Sequence, residues 1–178
     1  LAEPTAGGSN ATTRATSLGT LTMPQSLSKV ILHLVFSTRN RHRVFLLEKM
    51  WTDTIRYMAG VLQNLDSPAI RIGVVTDHVH ILHVLPRTRT IADIVGTVKR
   101  ASSDWVKGQP WARGNADFAQ FHWQKGYGSF SVSESQIPLV TRYIDGQSEH
   151  HRRVTFQEEY REFLEKHNAE FDERYVWD

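Results

Sequence analysis

Two apolar runs in residues 69–87, AIRIGVVTDHVHILHVLPR, are separated by only Thr76 and Asp77. Short apolar runs that are rich in β-branched residues are typical of strands, and a brief polar break between them predicts a tight turn. The segment is therefore predicted to be an antiparallel hairpin. Any fold for this chain has to contain an antiparallel sheet built around that hairpin.

The segments around the hairpin are predicted to alternate between strand and helix. Apolar spacing and capping signals predict a strand within 28–41, a helix over 46–65, a helix over 90–108 capped by Thr90, and helices over 133–151 and 155–168. An aromatic-rich strand is predicted over 117–132, broken at Gly126-Tyr127-Gly128. The order β-α-β-β-α-β, followed by helices, predicts an α+β fold. This fold is ferredoxin-like, with an antiparallel sheet, helices on one face and extra C-terminal helices.

Length and composition limit the possible classes of protein. The 178 residues suffice for one domain. Residues 1–22 are small and polar and are expected to be a disordered extension. Met23 is a candidate natural start, and 23–178 are expected to form a single domain. Because the chain has no cysteine, any metal must use nitrogen or oxygen ligands. No apolar stretch approaches the roughly 18 residues of a membrane span, so a soluble, cytoplasmic protein without a membrane partner is expected.

Three histidines interrupt the second apolar run of the hairpin. Side chains alternate along a strand, so His78 and His80 share one face and His83 points to the other. Same-face neighbours lie roughly 6.5–7 Å apart at the backbone, which is close enough for two imidazoles to share one metal ion. The alternative to a metal site is that both histidines simply lie on a solvated face of the sheet. Val79 and Ile81 can pack beneath the helices, so the histidine face is expected to be open. His83 is expected to be a core or interface residue.

A second pair of chemically useful side chains lies in the segment TRYIDGQSEHH, residues 141–151. In a helix, Tyr143 and Gln147 stand four residues apart on one face. Such a pair alone is typical of surface positions. If this face meets the sheet edge, however, Gln147 completes a His-His-Gln set with the phenolic oxygen of Tyr143 nearby.

Together these patterns resemble a known family. His78-Val79-His80 is similar to the HUH motif, YIDGQ is similar to that family's Tyr-x-x-x-Gln helix, and the flanking WQKGYGSFSVSES and SEHHRRVTFQEEY resemble the single-tyrosine HUH transposases of small bacterial insertion sequences. The resemblance covers roughly 29–178 and implies that 23–178 is a catalytic domain. It also implies that Tyr143 is the nucleophile and that His78, His80 and Gln147 bind one divalent metal ion, Mg²⁺ or Mn²⁺.

The resemblance further implies a reaction and its partners. The family cleaves and rejoins single-stranded DNA at element ends through a 5′-phosphotyrosine, often at hairpins, as a homodimer in which the tyrosine helix of one subunit can complete the partner's site. Gly146, where the family often has Asn, departs from the pattern and costs a helix up to about 1 kcal/mol. Two alternatives stay open: a non-catalytic, domesticated module that binds DNA or RNA hairpins, and a metal-dependent hydrolase in which Tyr143 only orients water. Tyr127 is the next candidate nucleophile.

The net charge is only +2, so affinity for nucleic acid has to come from local clusters. The candidate phosphate-binding residues are Arg39, Arg41, Arg43, Lys99, Arg100, Arg152 and Arg153. Several aromatic residues can stack on unpaired bases, but most are expected in the core: Trp105, Trp111, Phe121, Trp123 and Phe130. The acidic residues of the last helix, Glu158, Glu159, Glu162 and Glu165, are expected to form a solvated face.

Overall fold

The computed structural model describes residues 27–174, 176 and 177, so the predictions for 1–22 and Met23 lie outside the described residues. The strands are β1 (Val30–Ser37), β2 (Ala69–Val74), β3 (His78–Leu85) and β4 (Gly128–Val132). The helices are α1 (Glu48–Asn64), α2 (Ile91–Gly108), α3 (Ala116–Ala119), α4 (Ile137–Asp145), α5 (Gln147–His150) and α6 (Phe156–Lys166). Within the described residues, no helix is long and apolar enough to cross a membrane.

The four strands form one antiparallel sheet in the order β2-β3-β1-β4. The predicted hairpin is β2 and β3, and the predicted α+β fold with a β-α-β-β-α-β order is confirmed. The predicted strand over 117–132 is wrong in its first half. There Asn115 accepts a hydrogen bond from the backbone of Asp117 and starts α3, and only an isolated bridge joins Trp123 to Thr38.

Helices α1 and α2 cover one face of the sheet. The main core lies there and includes Leu34 and Phe36 of β1 and Val79 and Ile81 of β3. The predicted cap is confirmed, because Thr90 forms a capping box at the start of α2. The aromatic residues that were expected in the core are buried or packed against it: Phe121, Trp123, Phe130, Trp105 and Trp111. His83 is also buried, and its Nδ1 lies 2.8 Å from the hydroxyl of Ser67.

The C-terminal helices cover the other face, which carries His78 and His80. Helix α6 packs against Val35 and Phe130, and α4 packs against Leu82. The expectation that the histidine face is open is therefore wrong. The physical reason is that this face also carries apolar side chains, whose burial favours a second layer of helices.

A glycine lets α4 approach the sheet closely. Gly73 of β2 lies directly opposite His80, and a Cβ atom at this position would be 2.7 Å from Ile144 Cγ2 and 3.1 Å from the Ile144 carbonyl oxygen. Arg71, on the same strand, forms an ion pair with Asp145 at the end of α4. The position of α4 on the sheet therefore depends on the absence of a side chain at residue 73.

Candidate active site

His78 and His80 lie side by side on β3 and are buried, with exposed fractions of 1% and 0%. Each imidazole uses its Nδ1 for a protein partner. His78 Nδ1 is 2.7 Å from Asp77 Oδ1, and His80 Nδ1 is 3.1 Å from His33 Nε2. A partner on Nδ1 orients the ring and leaves Nε2 directed the other way. Both Nε2 atoms consequently face the space beneath α6.

Tyr143 and Gln147 converge on the same space from the other side. A break at Gly146 separates α4 from α5, but its φ of −82° is helical, so the two helices run on almost without interruption. The Tyr143 hydroxyl donates to Glu159 Oε1, and Gln147 Nε2 donates to the same oxygen at 2.8 Å. The ring centroids of Tyr143 and His80 are 5.8 Å apart. One chain thus brings the four predicted residues together without a partner subunit.

Glu159 of α6 occupies the centre of this arrangement, and the expectation that it lies on a solvated face is wrong. Only 2% of Glu159 is exposed. Its Oε2 atom lies 3.7 Å from His78 Nε2, 3.5 Å from His80 Nε2 and 3.3 Å from His151 Nε2. None of these four atoms has a hydrogen-bond partner among the described residues. The carboxylate therefore divides its contacts, with Oε1 toward Tyr143 and Gln147 and Oε2 toward three imidazoles.

The residues at this point fit a divalent cation. His78, His80, His151 and Glu159 each offer one ligand atom, and these atoms lie within 4.8 Å of one another. The Gln147 Oε1 atom is buried and has no partner in the described part of the chain. Leaving buried polar atoms unpaired is costly, whereas imidazole nitrogens and carboxyl or amide oxygens that converge are a ligand set for a divalent ion.

Burial favours the neutral form of the imidazoles of the site. It is the main cause that lowers the pKa of His78, although Asp77 opposes it, and it lowers the pKa of His80 well below the usual value. It also lowers the pKa of His151 to about 4. A neutral imidazole carries the lone pair that a metal ion needs. Burial, ahead of repulsion from neighbouring carboxylates, raises the pKa of Glu159 to about 8.

Sequence reasoning missed Glu159 and His151 as members of the site. A signal for Glu159 is present in the sequence, because this residue follows Phe156 by three positions and precedes Phe163 by four, which places it on the apolar stripe of α6. His151 directly precedes the candidate phosphate-binding residues Arg152 and Arg153, and nothing in that basic stretch indicates a metal ligand. Its inward orientation results from the chain turn between α5 and α6, where its Nδ1 lies 2.8 Å from the Val154 carbonyl oxygen.

The predicted phosphate-binding arginines lie in two exposed places. Arg39, Arg41 and Arg43 follow β1, where the Arg41 guanidinium lies over the Trp177 ring at 5.9 Å from its centroid. Arg152 and Arg153 follow α5 and are both exposed. Exposed guanidinium groups near the site fit the predicted role, which stays a prediction.

Lys99 and Arg100 differ from each other although they are adjacent on α2. Lys99 is half-buried, and its Nζ donates to the carbonyl oxygens of Gln124, Lys125 and Gly126 at 3.0, 3.2 and 2.6 Å. Burial lowers its pKa to about 8. Arg100 is exposed. Lys99 consequently has a structural role within the chain, and Arg100 is the member of the pair that is free to reach solvent.

Two cavities lie near the site. One of about 300 Å³ is lined by residues of α4 and α6, including Tyr143, Glu159 and Lys166. Another of about 530 Å³ lies beside the loop after β1 and is lined by Arg39, Asn40, His122, Trp123, Gln124, Lys125 and Trp177. The first gives access to the tyrosine, and the second combines basic and aromatic side chains.

Tyr143 of α4 lies beside a pair of imidazoles on a four-stranded antiparallel sheet. This is the arrangement expected of the single-tyrosine HUH transposases that the sequence resembles. The model of the family described as "Transposase IS200 like" matches residues 26–147, which is more than half of the chain. The chain belongs to the family of IS200-like transposases.

Solved structures share the fold. A candidate transposase from Deinococcus radiodurans is similar with a TM-score of 0.51 and 22% identity, over 70% of this chain and 95% of that chain. A REP-associated tyrosine transposase bound to a REP hairpin is similar with a TM-score of 0.52 and 16% identity, over 74% of each chain. A comparison with curated proteins gives no match.

Proposed function

We propose that this protein is a metal-dependent tyrosine transposase that cleaves and rejoins single-stranded DNA. The phenolic oxygen of Tyr143 loses its proton and attacks a backbone phosphorus, the bond from phosphorus to the 3′ oxygen breaks, and the 3′ oxygen takes up one proton and leaves as a hydroxyl. The product is a 5′-phosphotyrosine. This ester retains the energy of the phosphodiester bond, so a 3′ hydroxyl can reverse the step and rejoin a strand.

One observation carries the proposal: a single chain assembles Tyr143, Gln147, His78 and His80 around one buried point. His78, His80 and Gln147 would hold a divalent ion, Mg²⁺ or Mn²⁺. When bound, such an ion polarises a phosphate and stabilises the charge that develops on its oxygens. Tyr143 is half-buried and lines the cavity of about 300 Å³, so its hydroxyl has a route to a substrate.

The substrate class follows from family membership and from surface charge. Exposed Arg39, Arg43, Arg100, Arg152 and Arg153 can bind phosphates. The structurally similar REP-associated transposase is bound to a hairpin, which supports hairpin-containing single strands as substrates here. A homodimer stays a prediction. Because Tyr143 reaches the histidines of its own chain, exchange of the tyrosine helix is not needed to complete the site.

Covalent trapping tests the proposal. The full chain is incubated with Mn²⁺ and end-labelled single-stranded DNA taken from the flanks of its own gene, then separated on a denaturing gel. We expect a covalent band that requires metal, that is absent from Tyr143→Phe and that persists in Tyr127→Phe. Tyr127 is a suitable control because it is exposed and lies just before β4.

The other outcomes separate the alternatives. Tight hairpin binding in a gel shift without a covalent band and without cleavage would indicate the non-catalytic binding module. Cleavage without a covalent band would indicate a hydrolase in which Tyr143 orients water. A band that survives in Tyr143→Phe and disappears in Tyr127→Phe would show that the nucleophile is assigned to the wrong tyrosine.

A further inference from the structure

We propose that His151 and Glu159 bind the same divalent ion as His78 and His80, so that three imidazoles and a carboxylate of one chain hold the ion together with Gln147. The inference deepens the proposed function, because it concerns the same site. It adds two ligands from the segment that follows residue 147, where the match to the transposase family ends. It also predicts which ion the protein selects.

The imidazoles of the site are oriented by partners on their Nδ1 atoms. His151 Nδ1 is held at 2.8 Å by the Val154 carbonyl oxygen, just as His78 Nδ1 is held by Asp77 at 2.7 Å. A carbonyl oxygen can only accept, so His151 carries its proton on Nδ1 and has its lone pair on Nε2. Histidines that bind metals typically donate their other ring N–H to a carboxylate or carbonyl oxygen. His151 is therefore oriented as a ligand and not as a phosphate contact.

The distances between the ligand atoms also fit a shared ion. The Glu159 Oε2 atom lies 3.3–3.7 Å from the Nε2 atoms of His78, His80 and His151, with no hydrogen bond among them. Ligands at about 2.0–2.1 Å from one ion are themselves roughly 2.8–3.4 Å apart at octahedral or tetrahedral angles. The observed spacing is too wide for good hydrogen bonds and close to that of atoms that share an ion.

Glu159 is held in place through its other carboxylate oxygen. Its Oε1 atom accepts hydrogen bonds from Tyr143 and Gln147, and this holds the carboxylate so that Oε2 faces the imidazoles. Only 2% of the residue is exposed, and the described residues place no lysine or arginine within ion-pair distance of it. When it is ionised, a carboxylate that is buried among neutral imidazoles needs a cation to offset its charge.

The ligand set predicts the preferred ion. Three imidazoles and one carboxylate favour transition ions, with affinity rising from Mn²⁺ through Co²⁺, whereas Mg²⁺ prefers oxygen ligands and keeps its waters. We expect the chain to bind Mn²⁺ and Co²⁺ without DNA and to bind Mg²⁺ far more weakly. A site made only of His78, His80 and Gln147 would depend more on the phosphate to hold its ion.

Titration calorimetry with Co²⁺ on the metal-free full chain, without DNA, tests the inference. We expect His151→Ala and Glu159→Gln each to weaken Co²⁺ binding by roughly 100-fold, because even the loss of an outer partner of a metal ligand costs 10–100-fold. The controls are His122→Gln and Glu165→Gln, which change an exposed imidazole and an exposed carboxylate, the latter on the same helix as Glu159. Both controls should bind as the unchanged chain does.

X-ray absorption of the Co²⁺-loaded, unsubstituted chain gives a second measurement that does not depend on how the variants fold. Three imidazoles on the ion would support the inference, and two would overturn it. Unchanged affinity in both His151→Ala and Glu159→Gln would also overturn it, as would a failure of the unsubstituted chain to bind Co²⁺. None of these results decides the proposed function, which depends on the covalent band from Tyr143.

Discussion

Replacement of Gly73 by alanine should damage activity more than stability. The new Cβ would lie 2.7 Å from Ile144 Cγ2 and 3.1 Å from the Ile144 carbonyl oxygen. Ordinary carbon contacts are about 3.5–4.0 Å, so α4 has to retreat by roughly 1 Å. Since the second neighbour is backbone, a change of side-chain rotamer cannot relieve the contact. Overpacking of this kind costs about 1–3 kcal/mol in the free energy of unfolding.

The effect on activity follows from the position of Tyr143, the residue just before Ile144. A displacement of about 1 Å in a catalytic group can reduce a rate by about 100-fold. We therefore expect guanidinium unfolding to show a loss of about 2 kcal/mol and single-turnover formation of the covalent DNA adduct to slow by about 100-fold. With a typical stability of about 5–15 kcal/mol, the variant should remain folded at 25 °C.

Gly60→Ala is the matched control. Gly60 lies inside α1, and a Cβ atom there would meet nothing within 4 Å. This substitution should stabilise the chain by up to about 1 kcal/mol through helix propensity and leave adduct formation unchanged. A Gly73→Ala variant with the stability and adduct rate of the unsubstituted chain would refute the reasoning, because α4 would then not depend on contact with residue 73.

Further predictions concern pH, surface charge and helix capping. Burial lowers the pKa of His83 from 6.5, so below about pH 6.5 the unfolded chain takes up a proton that the folded chain does not. The free energy of unfolding of the metal-free chain should fall as pH falls through this range. Urea titrations at several pH values should show a shallower fall for His83→Gln. An equal fall in both chains would contradict the contribution of His83. Lys99→Met should cost about 2 kcal/mol in urea unfolding because three carbonyl oxygens lose their donor, and a loss near zero would argue against that role. Arg100→Gln should change the free energy of unfolding by less than about 0.5 kcal/mol. The dependence of DNA affinity on salt concentration should fall by about one released ion, and an unchanged dependence would show that Arg100 does not contact DNA. Thr155→Ala removes the capping box of α6 and should lower the free energy of unfolding by about 1 kcal/mol. Differential scanning calorimetry can measure this loss, with Thr52→Ala on α1 as the control.

The sequence allowed the sheet to be predicted because its signals are local. The break at Thr76 and Asp77 fixes a hairpin, and Thr90 marks the start of α2. The strand before β4 was predicted wrongly because aromatic residues such as Phe121 and Trp123 favour strands. In the structure they pack into the core from a loop, since tertiary contacts outweigh their intrinsic preference.

The site could be predicted only in part. Tyr143, Gln147 and the histidine pair follow short-range spacing, and the structure brings them together. The cover over His78 and His80 depends on contacts with a helix about 80 residues later, and periodicity within one segment does not specify such contacts. Glu159 shows the difficulty, because an acidic residue in an acidic helix favours an exposed position until its partners are known.

The late position of α6 in the chain has a consequence for biosynthesis. Val35 is translated well before Tyr160 and Leu164 of α6, whose side chains cover it, and Leu82 is likewise translated before Ile144 of α4. At about 5–20 residues per second, a ribosome needs several seconds to add the segment between β3 and α6. During that interval the nascent sheet presents an apolar surface with two unprotected imidazoles, so this face is where we expect ribosome-associated chaperones to bind.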